Sequence, residues 1–218
     1  MPADRMPSEL TIDRLVAGLA PVRPARPWRG VLALLVVAAV ELALVIGMTP
    51  PRNDMEMAMA GPMLWWKIAS SLMLAVAGTL ALAATLVPDA PRKAGVRWML
   101  GAAGIALITG IAVTDHQALP AAMADTMSWR EGLACIAVVE AYALPMLLAM
   151  LLVARRAAPA WPRATAIAAG VASAGWGAVA FAWRCPHDSA MYVLVWYGLA
   201  VVIGAGLALL VLPRFLRW

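Results

Sequence analysis

The chain has 218 residues, of which 64% are hydrophobic and 13% charged, and its mean hydropathy is +0.83. Soluble domains carry about 25% charged residues, so this composition excludes an ordinary soluble domain and places the chain in lipid. The 17 Lys and Arg against 12 Asp and Glu do not form a basic patch on a soluble face, which excludes direct nucleic-acid binding, and two cysteines are too few for a disulfide scaffold.

Residues 1–28 precede the first apolar run and form the only sizeable segment outside the spans on their side. Ile12, Leu15, Val16 and Leu19 follow the i, i+3, i+4, i+7 spacing of an amphipathic helix, with Thr11 as N-cap and Pro21 as stop. A helix of about ten residues is marginal alone in water and needs a surface to fold on. Either anionic lipid or a partner protein meets that need, and Arg14, Arg23, Arg26 and Arg29 suit both.

A membrane helix takes roughly 20 apolar residues, and six stretches qualify: residues 31–48, 64–87, 96–113, 133–153, 164–183 and 190–212. The expected fold is therefore all-α, a polytopic bundle of six transmembrane helices spanning residues 29–218. The first span carries Glu41. Ala58-Met59-Ala60 after it has the form of a signal-peptidase site but lies too far from the apolar run, so the first helix is retained. The loop between the first two spans contains Met55-Glu56-Met57-Ala58-Met59, whose thioethers are either flexible apolar groups or soft ligands for copper(I). Lys67 opens the second span, and a Glu41–Lys67 ion pair across this first hairpin is the expected arrangement, since intramembrane charges face the bundle and find partners.

The fourth span holds Cys135, Glu140 and Pro145, where a kink is expected. A polar loop, Arg184-Cys185-Pro186-His187-Asp188, separates the fifth span from the sixth, which Pro213 is expected to close. Prolines elsewhere fall between spans.

Alternate loops separate by charge. Thirteen of the 17 basic residues, from Arg5 to Arg217, share one side, while Arg52, Lys67, Arg130 and Arg184 lie on the other with most loop acids. By the positive-inside rule both termini are cytoplasmic, N-in and C-in, in a bacterial inner membrane. Cys135, Cys185, His116 and His187 then share the extracytoplasmic side, where disulfides are permitted. The two thiols either pair, bind a soft metal together with His187, or serve as small apolar residues.

The run from Arg184 through Tyr192-Val193 and Trp196-Tyr197 to the terminal Leu216-Arg217-Trp218 resembles the NrsF family of membrane anti-sigma factors. The likeness extends to Leu15 through Val22, to Trp66-Lys67 and to Cys135; the Met55 to Met59 cluster has no match in the pattern. The resemblance implies a non-enzymatic regulator without a cofactor. Such a protein holds an extracytoplasmic-function sigma factor by its N-terminal segment and releases it when cysteines matching Cys135 and Cys185 sense heavy metal or oxidant. Two other classes remain. A membrane thiol oxidoreductase needs a second thiol pair to pass electrons on, and a small transporter using Glu41 and Glu140 needs repeat symmetry that this chain lacks.

Overall fold

The computed structural model describes residues 27–50, 52–87, 93–114, 123, 126–157, 159 and 161–216. The expected partner face at Ile12, Leu15, Val16 and Leu19, and also His116, lie outside the described residues. Among those described, all regular structure is helical and six helices are long and apolar enough to cross a membrane.

The helices in chain order are α1 (Pro27–Met48), a short α2 (Met55–Ala60), α3 (Pro62–Thr85), α4 (Ala94–Val113), α5 (Trp129–Ala157), α6 (Pro162–Ala182) and α7 (Ala190–Leu216). Successive long helices run antiparallel. At one end of the α3/α4 pair a Cβ on Gly95 would lie 2.9 Å from the Ala81 side chain, and at the other Trp66 donates its indole N–H to Thr109 at 3.0 Å. The end where α1, α4 and α6 stop and α3, α5 and α7 begin is termed the thiol end.

α6 is the axis of the bundle. It is made mostly of Ala and Gly, is almost wholly buried, and packs on α3, α5 and α7. Helices in lipid gain nothing from burying apolar surface against one another, so they associate through close backbone packing at small residues. A Cβ on Gly177 would lie 2.3 Å from the Val139 carbonyl of α5, and one on Gly170 would lie 2.6 Å from Ala205 Cα of α7. No side chain fits at either crossing. Large apolar side chains accordingly point outward, as Leu35, Leu100, Ile108 and Leu148 do.

Three expectations need correction. The Glu41–Lys67 pair does not form, because α1 packs chiefly against α5 and α6 rather than α3. Instead Glu41 accepts a hydrogen bond from the Trp176 indole of α6 at 3.1 Å, and Lys67 turns to the loop after α6. Pro213 does not close the last helix, which runs on to Leu216; so near the end the missing N–H and the ring crowding disturb only the last turns. The connection after α1, read from the sequence as a loop, contains the short helix α2 over Met55–Ala60.

Candidate functional site

The last long helix is not uniform. Ser189 caps it, its side chain accepting from the Tyr192 N–H at 3.4 Å. After Ala190–Tyr192 the backbone widens into a π turn over Val193–Tyr197, and the Gly198 N–H bonds back to the Val193 carbonyl. A π turn brings residues five apart toward the same side, so Tyr192 and Tyr197 both enter the bundle and lie against the sulfurs of Cys135 and Cys185 respectively. All four are buried in one cluster with Ile136, Val139 and Ala178.

The two thiols, on α5 and on the loop after α6, are free, 3% and 1% exposed, and lie in that one buried cluster, where Cys185 Sγ donates to the His187 carbonyl at 3.9 Å. They share no disulfide. The neighbouring Cys135 thiol holds the Cys185 thiol below its ordinary value, and against the cost of burial the Lys67 ammonium acts in the same direction.

The loop that carries Cys185 is held by two cations. Lys67 of α3 is fully buried, and its three N–H donors are all used: on the Cys185 carbonyl at 3.1 Å, the His187 carbonyl at 2.9 Å and Asp188 Oδ1 at 2.8 Å. Arg52, between α1 and α2, approaches the same loop from outside. Its Nη1 donates to the Cys185 carbonyl at 3.0 Å and to Asp188 Oδ1 at 2.9 Å, and its Nη2 lies 2.7 Å from Asp188 Oδ2. The far side of the guanidinium grips Asp54 with two bonds of 2.6 Å.

His187 leaves the thiols. Its ring stacks on Tyr192 at 4.2 Å between centroids, and Nε2 lies 3.2 Å from Glu131 Oε2 of α5. Trp196 locks the neighbouring segment by donating to the Thr126 carbonyl at 3.0 Å while its indole lies over Gly132. Among the described residues no three His, Cys, Asp or Glu side chains are grouped to hold a metal ion. The soft donors that do converge are the two sulfurs, which suit a thiophilic cation of low coordination number.

The remaining sequence candidates lie apart from this cluster. Glu41 is in the α1/α6 seam with Trp176. Glu140 faces Gly204 of α7, where an added Cβ would lie 3.0 Å from its carboxylate. The thioethers of Met57 and Met59 are exposed on α2. Sequence reasoning missed Arg52 as a holder of the Cys185 loop, the two tyrosines against the sulfurs, and the Glu41 partner Trp176.

The ion cluster predicts a pH response. Its bonds from Arg52 hold Asp54 at about 2, below the ordinary 3.8. Burial pushes Asp188 up, but Arg52 and Lys67 outweigh it and the net shift is downward. Carboxylates depressed in the folded state stabilise it fully above their unfolded pKa, and that contribution is lost as pH falls through the folded value. Near-ultraviolet circular dichroism from the Tyr192 and Trp196 packing is therefore expected to hold steady from neutral pH to about 4 and to collapse toward about 2. Collapse already between pH 6 and 5 would contradict the cluster.

The fully buried Lys67 and the Arg52 fork thus pin one loop beside two thiols. The chain belongs to the NrsF family: the family model for the negative regulator of sigma F matches residues 15–218. Membership makes it a regulator and not an enzyme. It is 31% identical over 197 residues to the anti-sigma-F factor NrsF of Caulobacter vibrioides, covering 88% of this chain and 90% of that one. It is 28% identical over 219 residues to the probable anti-sigma-F factor NrsF of Azospira oryzae, covering 98% of this chain and 100% of that one. No solved structure matches the chain.

Proposed function

We propose that this chain is an anti-sigma factor of the bacterial inner membrane that holds an extracytoplasmic-function sigma factor and releases it when Cys135 and Cys185 meet a thiophilic metal or an oxidant. The observation that carries the reading is the free, buried thiol pair in one cluster, with Cys185 on a loop clamped by Lys67 and Arg52. The reading requires a second, withdrawn arrangement of this loop, because a ligand shifts an equilibrium only through a difference in its affinity for two states.

Orientation follows from charge: the basic loops lie inside, so the thiol end faces the extracytoplasmic compartment. The N-terminal segment enters α1 at the opposite end, and its Ile12, Leu15, Val16 and Leu19 face is the sigma contact. The names of the two relatives support a sigma factor as the partner. A catalytic thiol relay is disfavoured because the sequence contains two cysteines and no second pair.

The contact is tested by deleting residues 2–20 from the tagged full chain and purifying it in mild detergent. The bundle is expected to accumulate in the membrane while co-purified sigma factor falls by about tenfold or more. Retention of the sigma factor at the full-length level would sink the N-terminal contact.

A further inference from the structure

The two cations that hold the Cys185 loop are rooted in different places. Lys67 belongs to α3, which packs tightly on the axial helix α6. Arg52 belongs to the connection that leaves α1. Only Thr49, Pro50 and Pro51 separate Arg52 from Met48, the last residue of α1. The Thr49 side chain and N–H also bond back to the Val45 carbonyl, continuing the α1 turn into the connection.

α1 is the least enclosed of the six long helices. Most of its surface is open to the surroundings, with Val31, Leu35, Val40 and Leu44 among its exposed side chains. Along its length Glu41 ties it to α6 through the Trp176 indole. Beyond its end, Arg52 uses its Nε and both Nη atoms in the cluster, its side chain is 4% exposed, and it also reaches the Pro186 carbonyl at 3.3 Å. An arginine fixed in a bidentate fork transmits position as well as charge.

We propose that Arg52 is the coupling residue of the sensor: it ties the Cys185 carbonyl and Asp188 to the end of α1, so that withdrawal of the Cys185 loop frees α1 and the segment it leads. The proposal rests on the thiol-sensing reading and adds the route that reading requires. A dication that displaces both thiol protons, or a two-electron oxidant such as diamide that takes two protons and two electrons as the Cys135–Cys185 disulfide forms, draws Cys185 toward Cys135 and so pulls on the residue whose carbonyl Arg52 holds. Lys67 keeps the loop on α3 and α6; Arg52 carries its state to α1. Arg52 is a positioning residue and takes no part in the thiol chemistry.

The test uses the tagged full chain with its co-purifying sigma factor, in the wild type, in Arg52→Gln, and in Arg52→Gln combined with Cys135→Ser and Cys185→Ser. Immunoblotting reports the amount of chain in the membrane, and the probes are Cd2+ and diamide. Without any probe, Arg52→Gln is expected to lose about tenfold of the bound sigma factor, within the usual range of coupling between sites. The combined variant should lose the same, because the lesion lies downstream of the thiols. If Arg52→Gln holds the sigma factor and releases it on treatment as the wild type does, or if removing the thiols restores the hold, the proposal is wrong. Should Arg52→Gln fail to accumulate, Arg52→Lys decides: it keeps the charge with fewer donors, so partial untreated release supports the proposal and a wild-type hold overturns it. Failure of the wild type itself to respond to either probe would instead remove the thiol-sensing reading, so the two failures are distinguishable.

Discussion

Replacing Lys67 by methionine is expected to cost about 3–5 kcal/mol of bundle stability, the range seen when one partner of a buried ion pair is removed. Methionine fills most of the volume of the lysine stem, so packing is nearly kept. The loss comes from the groups left behind. Two backbone carbonyls, of Cys185 and His187, lose a charged donor, and Asp188 retains only Arg52. Because Lys67 is fully buried, water does not take its place. Unfolding in mixed micelles measures the difference, and a loss of less than roughly 1 kcal/mol would mean that the cluster behaves as a solvated surface pair.

The second large effect concerns the thiols. Serine at both 135 and 185 keeps a small side chain able to hydrogen-bond in the same place, but it is neither a soft ligand nor oxidised under the same conditions. The ratio of sigma-dependent transcription with and without Cd2+ or diamide is expected to fall to about one in the double variant, and each single variant should approach it, since a bond between the thiols or across a cation needs both sulfurs. A double variant that still responds like the wild type would show that the signal enters elsewhere, with the exposed thioethers of α2 as the next place to look.

Much of the fold was legible because each span carries its own signal. Six apolar runs with proline between them suffice to find six helices. Ends were less legible. α5 begins at Trp129 rather than at 133, because a helix terminus extends past its apolar run when polar residues such as Arg130 and Glu131 also favour helix. The Cys185 loop was legible as chemistry, since Arg-Cys-Pro-His-Asp is polar where insertion demands nothing polar.

Its partners were not. Arg52 and Asp188 stand 136 residues apart, and Lys67 and Asp188 stand 121 apart; no local pattern encodes such pairs. The Glu41–Lys67 expectation failed for a related reason. Neighbours in sequence across a hairpin need not be neighbours in space, and α1 lies against α5 and α6. Tyr192 and Tyr197 fall on different faces of an α-helix, so their common approach to the thiols depends on a π turn that periodicity does not announce.

The central claim is that chemistry at the thiol pair changes the hold on a partner at the other end of the bundle. Titrating the purified complex of full-length chain and sigma factor with Cd2+ tests it most directly, with dissociation followed by size exclusion. Release is expected to saturate at about one cation per thiol pair, to be reversed by a chelating dithiol and to be absent when Cys135 and Cys185 are both serine. A complex that stays intact with both thiols occupied, or that dissociates equally in the serine variant, would contradict it.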